Sequence, residues 1–227
     1  IQGEGHTSAF TGQQVKTSGI VTAVDRNGFY LQDGGDGNAA TSDGVFVFTS
    51  TAPTVQVGDA VNVVARVTEF RPSGNTVALT LTELTSPVIT VTSSGNALPG
   101  AVLIGVNGIL PPSTAIEDDG FGVFDPQNDG IDFWESLEGM RVTIETPQAV
   151  SNTNGFGETD VVASFGAGAT GMNDRGGITI APGDFNPEKI QIDEMRSSPI
   201  GTIPQLSIGD QLASVTGVVN YAFLQYE

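Results

Sequence analysis

Residues 57–70, VGDAVNVVARVTEF, limit the fold more than any other stretch of the chain. Val61, Val63, Ala65 and Val67 recur every second residue, which puts them on one face of a β-strand and does not fit a helix. A Gly-Asp pair opens the run as a turn, and Phe70 ends it. Residues 208–223, IGDQLASVTGVVNYAF, repeat the plan: Gly-Asp, a Val-containing run, a terminal aromatic. With 30 Gly and 12 Pro in 227 residues, few stretches can sustain helical periodicity. The chain reads as all-β with many turns.

Four more strands surround the first of these runs. QVKTSGIVTAV (14–24) is long and mostly alternating, with Gly19 as its expected bend. GFYLQD and GVFVFTS follow as a hairpin, and TVALTLTEL (76–84) is the fifth strand. A long bent strand, a hairpin and two further strands are the layout of an OB barrel. The later strands echo it: GMRVTIETPQAV (139–150) parallels GQQVKTSGIVTAV (12–24), with GETDVVASF and EKIQIDE as middle strands. The expected architecture is two tandem OB-like five-stranded barrels joined by an ordered acidic connector. The expected boundaries are an N-terminal extension at 1–8, barrel 1 at 9–87, the connector at 88–132 and barrel 2 at 133–227. The second barrel lacks an evident fifth strand. A helix is expected over DFWESLEGM (132–140), capped by Asp132 and burying Phe133, Leu137 and Met140.

Charge narrows the partners. Twenty-six acidic residues against eight basic give a net charge of −18, which repels nucleic acid and anionic membranes unless cations intervene. The absence of Cys excludes disulfides and thiolate metal sites. No apolar run is long enough to span a bilayer, so no membrane partner is expected. The chain begins mid-pattern at IQGEGHTS and reads as a mature or excised piece.

The set IQGEGHTS, GQQVKTSGIVTAV, NGFYLQD, TSDGVFVF and VGDAVNVVARVTEF, continued by GIDFWESLEGMRV, FNPEKIQIDE and IGDQLASVTGVVNYAF, spans nearly the whole chain. It resembles the region upstream of the catalytic domain in bacterial extracellular nucleases of the endonuclease/exonuclease/phosphatase group. The resemblance implies an OB-type DNA-binding accessory module, extracellular and secreted, with a catalytic nuclease or phosphatase domain in the same polypeptide. Catalysis by this chain itself is not expected, because the phosphoesterase core needs paired His and carboxylates, and His6 is the single His.

On this reading the partner is single-stranded or frayed DNA, bound weakly with cation assistance. Tyr30 is the candidate stacking residue, while Phe29, Phe46 and Phe48 are assigned to the core. Arg26, Arg66 and Arg71 are the candidate phosphate contacts. The alternative is an extracellular structural or adhesive protein that self-assembles through open strand edges. Calcium is the one cofactor the sequence suggests. Between 88 and 132 there are six carboxylates (Glu117, Asp118, Asp119, Asp125, Asp129, Asp132) and no Lys or Arg, so these are the candidate metal ligands. The β-hairpin loop offers a second set, Asp33, Asp36, Asn38 and Asp43. Neither set has EF-hand spacing, and both could serve simply as turn residues.

Overall fold

The computed structural model describes residues 1–72, 77–193 and 204–227. The protein is all-β; among the described residues there is one short α-helix and one 3-10 turn at Ser164–Gly166. Five strands come first: β1 (Gln14–Asp25), β2 (Gly28–Gln32), β3 (Gly44–Phe48), β4 (Ala60–Phe70) and β5 (Leu81–Ser93). They hydrogen-bond in the order β1-β2-β3-β5-β4, and β4 pairs back onto β1 to close the ring. The alternation in β4 has the predicted result. Val61, Val63, Ala65 and Val67 fill the barrel with Val21, Phe29, Leu31, Val47 and Leu84, all nearly inaccessible. Ala60–Phe70 can therefore contribute one face to this core and the other to the surface.

Two details differ from the sequence expectation. The bend in β1 falls at a register shift between Val21 and Ala23, just beyond Gly19. Gly19 instead permits a close strand approach, since a Cβ there would lie 2.5 Å from the Gln32 carbonyl oxygen. The fifth strand begins at Leu81 and runs on to Ser93, through residues expected to start the connector. Its antiparallel register with β4 continues from Phe70↔Leu81 to Ala60↔Ser93, because Val88, Ile89 and Val91 keep the strand propensity that the pairing needs. Expected residue 76, at the start of that strand, and residue 194, at the end of EKIQIDE, lie outside the described residues.

The rest of the chain contains β6 (Val102–Ile104), α1 (Gly130–Glu135), β7 (Arg141–Ile144), β8 (Gln148–Ala149), β9 (Thr159–Val162), β10 (Ile190–Ile192), β11 (Val215–Val218), β12 (Tyr221–Ala222) and β13 (Gln225–Tyr226). Among the described residues these strands do not join into a second five-stranded ring. They form a β11-β7-β6 sheet, a β10-β9-β8 sheet and a β12-β13 ribbon. One reason lies between β7 and β8, where Pro147 and the positive φ of Thr146 break what is one continuous strand in β1. β6, from the expected connector, runs parallel to β7 and supplies part of the second core.

The Gly-Asp repeat is nonetheless structural. Gly58 and Gly209 both adopt positive φ, at 87° and 91°. Asp59 Oδ2 accepts from Gln56 N at 2.9 Å, and Asp210 Oδ2 accepts from Ser207 N at 2.8 Å. Each turn then clasps one residue of a strand. Val21 N donates to Asp59 O and receives Gly58 N on its own carbonyl; Ala149 does the same with Asp210 and Gly209. The β1–β4 pairing also has its counterpart in β7–β11.

α1 is shorter than expected, and Asp132 does not cap it. Asp129 occupies the N-cap, without a side-chain hydrogen bond, while the Asp132 carboxylate is engaged elsewhere. Phe133, Leu137 and Met140 are buried as expected, the last two beyond the end of the helix.

The two halves meet closely at Gly44 and Gly139. A Cβ on Gly44 would lie 2.3 Å from the Gly139 carbonyl carbon and 2.6 Å from Met140 N. Gly44→Ala must push β3 away from that backbone and should cost about 1–3 kcal/mol, lowering the Tm by about 2–4 °C per kcal/mol. Gly34→Ala, with nothing within 4 Å of its Cβ, is the matched control and should leave the Tm unchanged or slightly raised. Thermal melts of the two variants check this.

Candidate functional site

The residues predicted to bind nucleic acid do not converge. Tyr30 is buried, not displayed. It stands opposite Phe46 across the β2–β3 ladder, ring centroids 5.0 Å apart, in a cluster with Leu81, Ala23, Phe48 and Val218. Val218 belongs to β11, so the second half covers the outer face of this hairpin and its aromatics. The expected stacking role for Tyr30 is thereby corrected: the ring is closed off from a base. Phe29 does fill the barrel, whereas Phe46 and Phe48 belong to this outer cluster. Arg26 lies exposed in the β1–β2 turn, Arg66 exposed along β4, and Arg71 just past the end of β4, where its charge reaches Tyr221.

The most concentrated chemistry lies where the N-terminal segment runs between the halves. Gln2 Nε2 donates to Gly44 O at 3.2 Å and to Glu138 Oε1 at 3.1 Å, and Thr82 N donates to the same Glu138 oxygen at 3.1 Å. Ser42 Oγ donates to the Glu138 carbonyl at 2.5 Å. Four residues on, His6 Nε2 meets Asp132 Oδ1 at 2.7 Å and Nδ1 lies 3.3 Å from Glu135 Oε2. Tyr226 donates its hydroxyl to Glu135 Oε2 at 2.5 Å. The rings of Phe121 and Phe124 pack edge-on against the imidazole. Glu69 completes the seam, accepting from Ser8 N, Thr80 Oγ1 and Thr82 Oγ1.

Burial shifts these groups. Desolvation lowers the pKa of His6, but its hydrogen bonds to Asp132 and Glu135 outweigh that and raise it to about 9. Burial raises Glu83 to about 7, and burial with Glu135 alongside pushes Glu138 well above the carboxylate range. The arrangement is a charge-paired weld. Nε2 is hydrogen-bonded to Asp132, while Nδ1, buried and without a hydrogen bond, lies at ion-pair distance from Glu135, so both carboxylates flank the imidazole. Sequence reasoning missed this seam. Its signals were two glutamates, Glu135 and Glu138, inside the apolar run FWESLEGM, and one His close to the N-terminus.

The candidate metal ligands separate into distinct roles. Asp132 takes His6 and Asp125 N; Asp125 takes Gln127 N and Asn128 Nδ2; Asp119 takes Gly122 N. Glu117 Oε1 accepts from Asp119 N and Phe121 N, and Asp118 is exposed. Asp129 is buried, and desolvation with Asp118, Glu117, Asp132 and Asp119 nearby raises its pKa to about 6. Among the described residues no three His, Cys, Asp or Glu side chains are gathered for a metal ion, so the six carboxylates are not one ligand set. In the hairpin loop Asp33, Asp36 and Asn38 accept from backbone N–H groups two residues on, and Asp43 from Asp36 N, as turn residues do. This loop borders a cleft of about 820 Å³ lined by Ser18, Gly19, Asp33, Asp43, Asn62 and Pro99, with no Lys or Arg in its wall. Among the described residues no helix is long and apolar enough to cross a membrane.

A family described as a domain of unknown function (DUF8508) matches residues 97–227, more than half the chain. The chain belongs to this family. The matched region starts after β5 and takes in β6, the connector from residue 97 onward and all later strands. No curated protein and no solved structure matches the chain.

The seam predicts a stability profile. His6, with its folded pKa above the ordinary value of 6.5, adds stability that is complete below pH 6.5 and lost as pH rises through about 9. Glu83 has the same sign: its folded pKa of about 7 lies above the ordinary 4.5, so stability falls as pH rises from 4.5 to 7. The Tm should therefore decline from pH 4.5 towards pH 9.5. His6→Ala should cost about 3 kcal/mol, by leaving Asp132 and Glu135 buried without a cation, and should flatten the decline above pH 6.5. Melts from pH 4.5 to 9.5 on both proteins test the sign.

Proposed function

We propose that the chain is a non-catalytic module of a secreted bacterial nuclease or phosphoesterase. In this reading an OB-type barrel is followed by a second, incomplete copy, and the pair positions single-stranded or frayed DNA for a catalytic domain of the same polypeptide. The observation that carries it is the duplicated clasp, Gly58-Asp59 on Val21 and Gly209-Asp210 on Ala149, beside a five-stranded ring in the order β1-β2-β3-β5-β4. That order, with a long bent β1, is the OB layout, and the sequence resembles the accessory region of such nucleases. With the β2–β3 aromatics covered, DNA would be held through phosphates by Arg26 and Arg66, without base stacking, and binding would be weak and salt-sensitive. Divalent cations would assist by offsetting the net charge of −18.

Electrophoretic shift with single-stranded DNA at low salt tests this. A weak shift is expected, stronger in millimolar Mg²⁺ or Ca²⁺ and reduced by Arg66→Ala. Tyr30→Ala should destabilise the fold by about 3 kcal/mol, as large-to-small core changes do. No shift under any of these conditions removes the reading.

A second reading has its own observation. Among the described residues the first five strands form a closed ring, whereas β10, β11 and β6 each end a sheet in the second half. Phe156, Phe185 and Phe223, at 84%, 58% and 65% exposure, lie in the same half. Open edges and exposed rings suit an extracellular structural or adhesive protein that self-associates there. Size-exclusion chromatography over a range of concentrations, with negative-stain microscopy, separates the two: a constant monomer favours the nuclease module, and ordered polymers favour assembly.

A further inference from the structure

We infer that the acidic connector binds one divalent cation of calcium type, held between Glu117 and Asp129. Asp129 is 2% exposed, and its Oδ1 has no hydrogen-bond partner in the protein. Glu117 Oε2 is likewise buried and unpartnered, although Oε1 of the same side chain accepts two backbone N–H groups. The fold brings these two stretches together. Gly130 N donates to Ala115 O and Ile131 N to Ile116 O, while Asp129 N and Asn128 N both close onto Asp125 O. Asp118 and Asp119 lie within electrostatic reach of Asp129. Two buried, unpartnered carboxylate oxygens therefore sit on neighbouring stretches within one patch of negative charge.

Within the connector nothing is available to neutralise them. Residues 88–132 contain no Lys or Arg, and the Asn128 side-chain amide is already donated to Asp125. Two cationic side chains from packed segments are committed elsewhere: His6 to Asp132 and Glu135, and Lys189 to Asp160. A buried carboxylate oxygen without donor or cation is strongly unfavourable, and a bound cation meets both requirements at once. The donors are hard oxygens, with neither thiolate nor free imidazole, which excludes a zinc-like site. Only two of the side chains are well placed, so backbone carbonyls and waters must complete the shell. Ca²⁺ accepts such irregular sets of six to eight oxygens, whereas Mg²⁺ demands a tight octahedron. This inference is independent of DNA binding and of self-association.

Isothermal titration calorimetry of the full chain with CaCl₂ and with MgCl₂ tests it directly, alongside melts in EDTA and in Ca²⁺. Saturable Ca²⁺ binding with a Kd of about 10⁻⁴–10⁻³ M, the range of extracellular modules, is expected, together with a Tm that rises in Ca²⁺ by mass action. Mg²⁺ should bind at least about tenfold more weakly. Asp129→Asn and Glu117→Gln should each weaken Ca²⁺ at least about tenfold, while Asp36→Asn, in the hairpin loop, should leave it unchanged. If Asp129→Asn does not fold, Glu117→Gln alone decides, since residue 117 is only partly buried. Absence of saturable heat overturns the inference. So does wild-type affinity in the decisive variants, which would mean that Ca²⁺ merely condenses on an acidic surface.

Discussion

The structure depends on Glu138 being buried where three segments meet. Its carboxylate holds Gln2 of the N-terminal segment and the backbone of Thr82 at the start of β5, and its carbonyl holds Ser42 ahead of β3. With 1% of its surface exposed, it can be tolerated only if the barrel, the N-terminus and the second half stay docked. The close approach of Gly44 to Gly139, and the Arg141 N–H donated to Gln32 Oε1, act at the same seam. Hydrophobic contact alone would let the halves slide. A buried carboxyl group hydrogen-bonded through one oxygen to two segments specifies one register, because a shift would cost that oxygen both partners.

The same docking redirects the residues that looked functional. In an open barrel of this order the β2–β3 face would be the natural place to stack a base. Here that face packs on Val218, and Tyr30 and Phe46 become part of an inter-half core. That aromatic face is thus used as a joint between the halves, and the exposed polar chemistry lies elsewhere: on scattered arginines, at the sheet edges of the second half and in the acidic connector. The family match, from residue 97 onward, takes in the acidic part of the connector and the second half together and leaves the barrel outside it.

Much of the fold was legible beforehand. The period-two spacing of Val61, Val63, Ala65 and Val67, and the Gly-Asp repeat, are local properties, and each reappears as the barrel interior and as the paired clasps. The separation of the second half into small sheets was harder to read. Pro147 in that strand was visible, but the chain gives no direct sign that β6, far upstream, would lie parallel to β7. Among site residues, the acidic connector was legible as composition, yet its six carboxylates take different partners. Asp132 pairs with His6, 126 positions away, whereas Asp129 is buried with an unpartnered oxygen.

By itself the sequence determined what depends on neighbours along the chain: strand or turn, which alternate residues face inward, where the Gly-Asp turns stand, and the strongly negative charge. Only the tertiary structure decided which polar groups are buried and with whom. Whether Tyr30 meets a base or a β-strand, whether His6 is a free base or half of an ion pair, and whether Glu138 is solvated or enclosed are set by contacts between residues far apart in sequence. The physical reason is that periodicity reports the face on which a side chain lies, while exposure, pairing and pKa depend on what is packed against that face.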